Sequence, residues 1–527
     1  MSTLAGTPAL IGLTLRRDRI RLAGWFGVAA LLVIGVAAAM PGTLPDEAAR
    51  EAYVRHNNTD PTQLLAIGPI YGSSEGAIAA WRVRGQAALL VALAGILAVV
   101  RHTRADEEAG RRELLGATVV GRHAPLTAVL AVVAAANLVC AAAIAAGLTA
   151  LGRAPEGAIA MGLSIAAAGW AFAAVAAVAA QLSASSRGAI GLAAGAMGVC
   201  YALRAAADIS GATWPAWLTP FGWTQQVRPF AGDHLWPVVL TAVMCLPVAG
   251  AAYLLSARRD LGSGLLPPRP GPAAAPPRLR TPIALAWRLH KGPLLAWLVA
   301  ATLFGAGLGA VARGAADLVA ASPMLGALAD DGGRPVDGYF AIVIYIIGQV
   351  ACVYAVQAVL RLRSEEAEGR AEPILTGPVD RLRWAGGHLV IAALGSAAVL
   401  AGVGLGAGLA YGAAVGDIGG ELPGLLAAAL VRVPSVWVLA ALAAALYGWA
   451  PRAAAPGAYA VLGVLVVLEF AVELAGAPHA VLAVSPFAWT PGLPAADPAL
   501  VPAAVLTAIA VGLAAVGLAM LRRRDLG

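Results

Sequence analysis

Apolar runs long enough to cross a bilayer recur along the whole chain, separated by short polar stretches. The runs at 22–40, 85–100, 126–150, 158–181, 189–204, 235–255, 294–312, 339–360, 386–411, 430–449, 457–472 and 500–521 predict twelve transmembrane helices. About twenty apolar residues in a helix span a hydrocarbon core of roughly 30 Å. Apolar and polar positions do not alternate within the runs, which excludes a transmembrane β-barrel. The runs at 189–204 and 457–472 are short and are expected to tilt or break. Composition agrees, with 60% hydrophobic and 12% charged residues, against about 25% charged in soluble domains. The fold class is therefore an all-α polytopic membrane protein.

The polar stretches set the orientation. With both termini cytoplasmic, 26 of the 36 basic residues fall on the cytoplasmic side, as the positive-inside rule requires. The net charge of +7 is thus a topological signal and calls for no nucleic-acid partner. The basic residues from Arg16 to Arg21 precede an apolar run ending AAAMPG, which imitates a signal peptide. A counterpart in the second half argues against cleavage there. Cys140, Cys200, Cys245 and Cys352 each lie in a predicted span and read as small apolar fillers. The seven histidines do not cluster, so no metal site is expected.

Four landmarks occur twice in the same order. LTLRRDRIRLAGW (13–25) matches LAWRLHKGPLLAW (285–297), and RADEEAGRRELLGATVVGR (104–122) matches RSEEAEGRAEPILTGPVDR (363–381). TPFGWT (219–224) matches SPFAWT (485–490), and RRDLG occurs at 258–262 and 523–527. The offsets are all close to 265 residues. The chain thus reads as two pseudo-symmetric six-helix halves, 1–262 and 283–527, joined in parallel by a Pro-rich cytoplasmic linker at 263–282.

The charged repeat keeps its residues in register: Arg104/Arg363, Glu107/Glu366, Gly110/Gly369, Arg111/Arg370, Glu113/Glu372 and Arg122/Arg381. Glu107–Arg111 and Glu366–Arg370 have the spacing and orientation of stabilising i,i+4 pairs. A glycine then bends the helix, and a small apolar patch follows, with Leu114 and Leu115 in one copy and Ile374 and Leu375 in the other. The pattern predicts one short, kinked, charged helix on the cytoplasmic surface of each half. A solvated loop need not keep Glu, Gly, Arg and Glu in register twice.

The pattern E-x-x-G-R-x-E followed by V-x-R, between the second and third spans of a six-span unit, resembles the permeases of ABC-2-type exporters. The whole chain looks like the fused twelve-span permeases of actinobacterial exporters for polyketide antibiotics and other drugs. TPFGWTQQVRPFAGDHLWP (219–237) and ARRDLGSGLLPPRPGP (257–272) support the likeness. The resemblance implies an ABC-2 (type V-like) fold in the bacterial cytoplasmic membrane. It implies two copies of a separate ABC ATP-binding subunit as partners, which would hold ATP and Mg, with no cofactor in this chain. It implies that the charged repeat is the coupling helix docking on each ATPase, and that elbow helices at 10–21 and 283–292 precede the first span of each half. An outer segment would dip back toward the membrane with Pro220, Phe221 and Trp223, and again with Pro486, Phe487 and Trp489. The second copy lacks the VRPFAGD portion of the first. The substrate class is a small amphipathic compound, antibiotic or drug-like.

One negative rests on the residues themselves. The only lysine, Lys291, lies in LHKGP, outside the G-x-x-x-x-G-K-[ST] frame that binds nucleotide phosphates. If transport is ATP-driven, the ATPase is another polypeptide, and the resemblance implies that this chain is a permease rather than an enzyme. Polar residues in spans either mark a candidate substrate pathway or serve as interhelical hydrogen-bonding groups and side chains snorkelling at the outer boundary. Tyr339, Tyr345 and Gln349 fall near one face of the eighth span. Arg204 ends the fifth span, while Glu469 and Glu473 end the equivalent eleventh, an arrangement that suggests opposite charges facing each other across the pseudo-two-fold. Trp81, Trp214, Trp217, Trp223, Trp236 and Trp489 lie near the expected outer boundary, and most read as belt anchors. The alternative is a secondary, proton-coupled drug transporter, since such proteins also fuse two six-span halves. Their G-x-x-x-D-R-x-G-R-R loop signature is not met here.

Overall fold

The computed structural model describes residues 2–40, 46–59, 63–64, 67–116, 118–260, 262–266, 274, 279, 281–321, 334–475, 479–494 and 500–524. The side chains of Leu115, Glu469 and Glu473 lie outside that description. The chain divides into two compact units, Met1–Gly271 and Pro272–Gly527.

In the first unit, α1 (Thr7–Ala39) is followed by the short α2 (Glu47–Thr59) and α3 (Glu75–Val100). After α4 (Arg111–Gly116) come α5 (Ala124–Ala150), α6 (Pro155–Leu182), α7 (Ser186–Ser210), α8 (Pro220–Gln225) and α9 (Trp236–Ala257). Helix starts are marked by local chemistry. Ser74 and Ser185 accept backbone N–H bonds from Ala77 and Gly188 at 3.1 and 3.0 Å, and prolines open α5, α6, α8 and α9. The centre of the unit is α6, which packs on α3, α5, α7 and α9. Its AAAG-rich sequence lets backbones approach closely: a Cβ at Gly162 would meet the Ala141 carbonyl, and one at Gly169 would meet the Asn137 amide.

The second unit contains α10 (Pro282–Ala321), α11 (Pro335–Ala367), α12 (Glu372–Leu375), α13 (Arg381–Val415), α14 (Ile418–Leu430), α15 (Val433–Trp449), α16 (Pro451–Ala475) and α17 (Leu500–Arg523). Its closest pair is α10 and α13, where Gly305 and Gly309 face the carbonyls of Val403 and Ala407. Helices α14 and α15 together make one crossing, interrupted at Arg432.

Among the described residues eleven helices are long and apolar enough to cross a membrane, one fewer than the twelve expected. The run expected at 457–472 lies in α16, whose described apolar part, Pro451–Val466, is short of a full crossing. A second difference concerns the elbows. Segments 10–21 and 283–292 are not separate helices but the first turns of α1 and α10. No proline separates Arg21 from Trp25, Gly24 is carried within α1, and Pro293 is accommodated inside α10.

Candidate functional site

At the face carrying the N-terminus, where Thr3 and Ala5 carbonyls accept from His123 and Gly121, α3 outruns its apolar stretch. A π turn at Arg101–Ala105 carries it on to Glu108. The first half of the charged repeat is therefore the buried end of a crossing helix, and Arg104, Asp106 and Glu107 are all buried. Gly110 follows at φ +70, and α4 departs in a new direction. In the second unit α11 runs to Ala367, Gly369 also takes φ +70, and α12 begins at Glu372. A side chain at that φ is strained, which accounts for the paired glycines. The π turn has no counterpart in α11.

The expected i,i+4 pairs do not form. The left-handed glycine takes the following arginine off helical register, so it reaches the acid five residues back instead. Arg111 Nε donates to Asp106 at 2.7 Å, and Arg370 Nε donates to Glu365 at 3.0 Å. Arg370 is also paired with Glu368, and the Glu365 hydrogen bond, foremost, holds its guanidinium above the ordinary value.

The freed glutamates find partners far along the chain. Arg259 donates twice to Glu107, at 2.9 and 3.0 Å, and Arg524 donates twice to Glu366, at 2.8 and 2.6 Å. Arg259 and Arg524 are the second arginines of the two RRDLG copies. In each unit the charged repeat is thus locked to the end of the last helix by the same pair. The surroundings differ. Glu107 is also within 3.0 Å of Arg104, whose side chain is fully buried and donates to the carbonyls of Ala180 and Ser263. Glu366 instead accepts from Tyr447 Oη at 2.5 Å. Arg363, matching Arg104, is half-buried. Burial, first of all, pushes the Arg112 guanidinium down, against the attraction of Glu107. Arg122 donates to the Ser256 carbonyl at 2.8 Å and Arg381 to the Arg524 carbonyl at 2.6 Å, so this repeat pair also grips the last helix.

The start of α1 joins the lock in the first unit. Arg17 forms a two-point bond to Asp106, at 2.8 and 3.0 Å, and Asp18 lies 2.5 Å from His102. In the second unit His290 instead meets His388 at 2.9 Å. What remains on the surface is α4 and its flank: Glu113 is exposed, as are Leu114 at 74% and Val119 at 70%. In the second unit Glu372 is exposed, but Ile374 packs against a buried cluster that includes Leu362, Ala371 and Trp384.

The PF elements, one in each unit, share one construction. Thr219 caps α8 by accepting from Gly222 N, Pro220 opens it, and Phe221 is buried against Phe172 and Tyr201 with ring centroids at 5.0 and 5.8 Å. Ser485, Pro486 and Phe487 repeat this in a 3₁₀ turn, with Phe487 buried against Tyr345 at 5.9 Å. Trp223 donates to the Trp217 carbonyl and Trp489 to the Ala483 carbonyl, six residues back in both cases.

The candidate pathway residues fall in both units. Arg204 does not wait for a carboxylate from elsewhere: it pairs with Asp208 one turn along α7, at 3.1 Å, and lies over the Tyr201 ring. The one sign of Asp208 in the sequence is its i,i+4 spacing from Arg204. The side chains of Glu469 and Glu473 lie outside the described residues. Tyr339 Oη donates to the Leu308 carbonyl at 3.3 Å, and Gln349 is buried. Tyr345 lies under Arg432, a buried arginine at the break between α14 and α15 that also binds Thr490. Trp81 is no belt anchor: it is buried and donates to the Gly68 carbonyl at 2.6 Å. Trp214, Trp236 and Trp489 are exposed, as a belt position requires.

Two comparisons bear on this arrangement. The family profile described as multidrug efflux system permease Rv1217c, C-terminal domain, matches residues 279–522. The chain is also similar to the multidrug efflux system permease protein Rv1217c of Mycobacterium tuberculosis, with 41% identity over 529 residues, covering 99% of this chain and 96% of the relative.

Proposed function

This chain belongs to the family of multidrug efflux permeases that includes Rv1217c, and on that premise we propose that it is the membrane subunit of an ATP-driven exporter. In this reading it moves small amphipathic, drug-like compounds out of the cell. The face carrying the N-terminus is cytoplasmic, and the membrane is the bacterial cytoplasmic membrane. Two copies of a separate ABC ATP-binding subunit, holding ATP and Mg, dock on the two charged repeats.

One observation above all supports the reading. In both units the charged repeat is tied to the last helix by a matching Glu–Arg pair and turned by a matching left-handed glycine. A push on α4 or α12 would therefore be delivered to two membrane helices at once in each unit. Such a linkage transmits force only through contacts that differ between two states of the permease. Leu114, next to Glu113 in the sequence, and Val119 are exposed apolar side chains free to meet a protein partner there.

The test is to purify the permease with its cognate ATPase and reconstitute both in liposomes. Drug-stimulated ATP hydrolysis and ATP-dependent export are expected. Export driven by a proton gradient with no ATPase present would overturn the proposal in favour of secondary transport.

A further inference from the structure

The VRPFAGD stretch, present only in the first half, adopts an unusual backbone. Arg228, Phe230 and Asp233 all have positive φ, at 48, 60 and 50°, a region costly for side-chain-bearing residues. The turn holds Arg228 over the ring of Tyr71, 4.3 Å from its centroid, with Gln226 Oε1 accepting from the guanidinium at 2.8 Å. Arg228 there faces a small recess lined also by Tyr71, Trp81, Arg84 and Gln225.

Arg84 is the unexpected member. It sits within the crossing helix α3, is buried, and pairs with no carboxylate among the described residues. Its electrostatic neighbours include Arg204, a like charge, and Asp208. Asp208 is already engaged by Arg204 at 3.1 Å and by the Gln225 amide at 3.2 Å. Arg84 and Arg204 thus share the field of one carboxylate, while Arg228 lines the same recess as Arg84. A buried, uncompensated guanidinium is expensive in a membrane protein and is retained where it meets an anion. Guanidinium groups bind carboxylate, sulfonate and phosphate oxygens through strong charge-assisted hydrogen bonds.

We propose that this recess is an anion subsite, in which Arg84 and Arg228 bind the anionic head group of an amphipathic molecule while Tyr71 and Trp81 flank it. The proposal deepens the exporter reading by naming a chemical feature of its ligands. Its test needs neither ATPase nor transport, so its failure is distinguishable from failure of that reading.

The experiment is a fluorescence titration of the full-length permease in phosphatidylcholine nanodiscs, with dansylglycine and with its uncharged methyl ester. Wild type is expected to bind the carboxylate roughly tenfold or more tightly than the ester, the worth of one charged hydrogen bond. Arg84→Gln and Arg228→Gln should each remove most of that preference. Arg84→Lys should retain part of it. Arg228 is half-buried on a surface turn, so its variant tests the site even where Arg84→Gln fails to fold. Suppression of dansylglycine binding by phosphatidylglycerol in wild type, but not in Arg228→Gln, would support the subsite and identify a lipid phosphate as its occupant. Equal affinity of wild type for both probes, or a preference unchanged in both Gln variants, would overturn the proposal.

Discussion

Glu107 and Glu366 occupy matching positions in surroundings of different polarity. The side chain of Glu107 is 2% exposed and meets two arginines; that of Glu366 is 18% exposed and meets one arginine and a tyrosine. Removing one partner of a fully buried ion pair strands the other, typically at about 3–5 kcal/mol. Removing one that water can reach costs about 1 kcal/mol. Glu107→Gln should therefore lower the thermal midpoint of the detergent-purified permease several times more than Glu366→Gln. Equal shifts would mean that burial does not govern the two locks. The identity of these glutamates was legible in the sequence because both copies keep them. Their partners were not: Arg259 and Arg524 stand 152 and 158 residues away, and only i,i+4 neighbours can be read from spacing. Both RRDLG copies were nevertheless visible, so joining one duplicated motif to the other was an available step.

Among the elements, the α10–α13 contact shows how small residues replace apolar driving force inside a membrane, where lipid is as apolar as leucine. A Cβ at Gly309 would meet the Ala407 carbonyl, whereas one at Gly307, on the same helix, would meet nothing within 4 Å. Gly309→Ala should thus destabilise the protein by about 1–3 kcal/mol through overpacking, while Gly307→Ala leaves the melting midpoint unchanged or raises it slightly. A similar loss from both would show that the close approach is not what holds the pair. The glycine bends make a different prediction, since a Cβ at Gly110 has open space and only its φ is demanding. Asn, which tolerates the left-handed region, should preserve thermal stability better than Ala at Gly110, and Val should be worst. An order in which Val equals Asn would contradict the bend. Hydropathy located the apolar runs because burial in lipid imposes length. It did not locate helix ends, because the polar first turns of α1 and the charged end of α3 are helical without being apolar.

For the whole molecule, duplication does not mean equivalence. The first unit has the π turn, the Arg17–Asp106 clamp and the deeply buried Glu107. The second has a half-open lock and a His290–His388 contact in place of the Asp18–His102 pair. The apolar residues proposed to meet the ATPase differ in the same direction, with Leu114 facing water and Ile374 packed into its own unit. Charge at each position should therefore have a different consequence. Leu114→Asp should leave the thermal midpoint of the permease nearly unchanged, because no buried contact is lost, and should reduce co-purification of the ATPase. Ile374→Asp takes a half-buried apolar side chain away from the cluster of Leu362 and Trp384 and should lower the midpoint, by about 1–3 kcal/mol. Both are read from one preparation, by melting curves and by the ATPase-to-permease ratio on a sizing column. Undiminished ATPase association in Leu114→Asp would remove the first unit's exposed patch from the proposed docking surface. An unchanged melting midpoint in Ile374→Asp would mean that the second unit presents its patch as the first does, and that the two halves are more alike than their packing indicates.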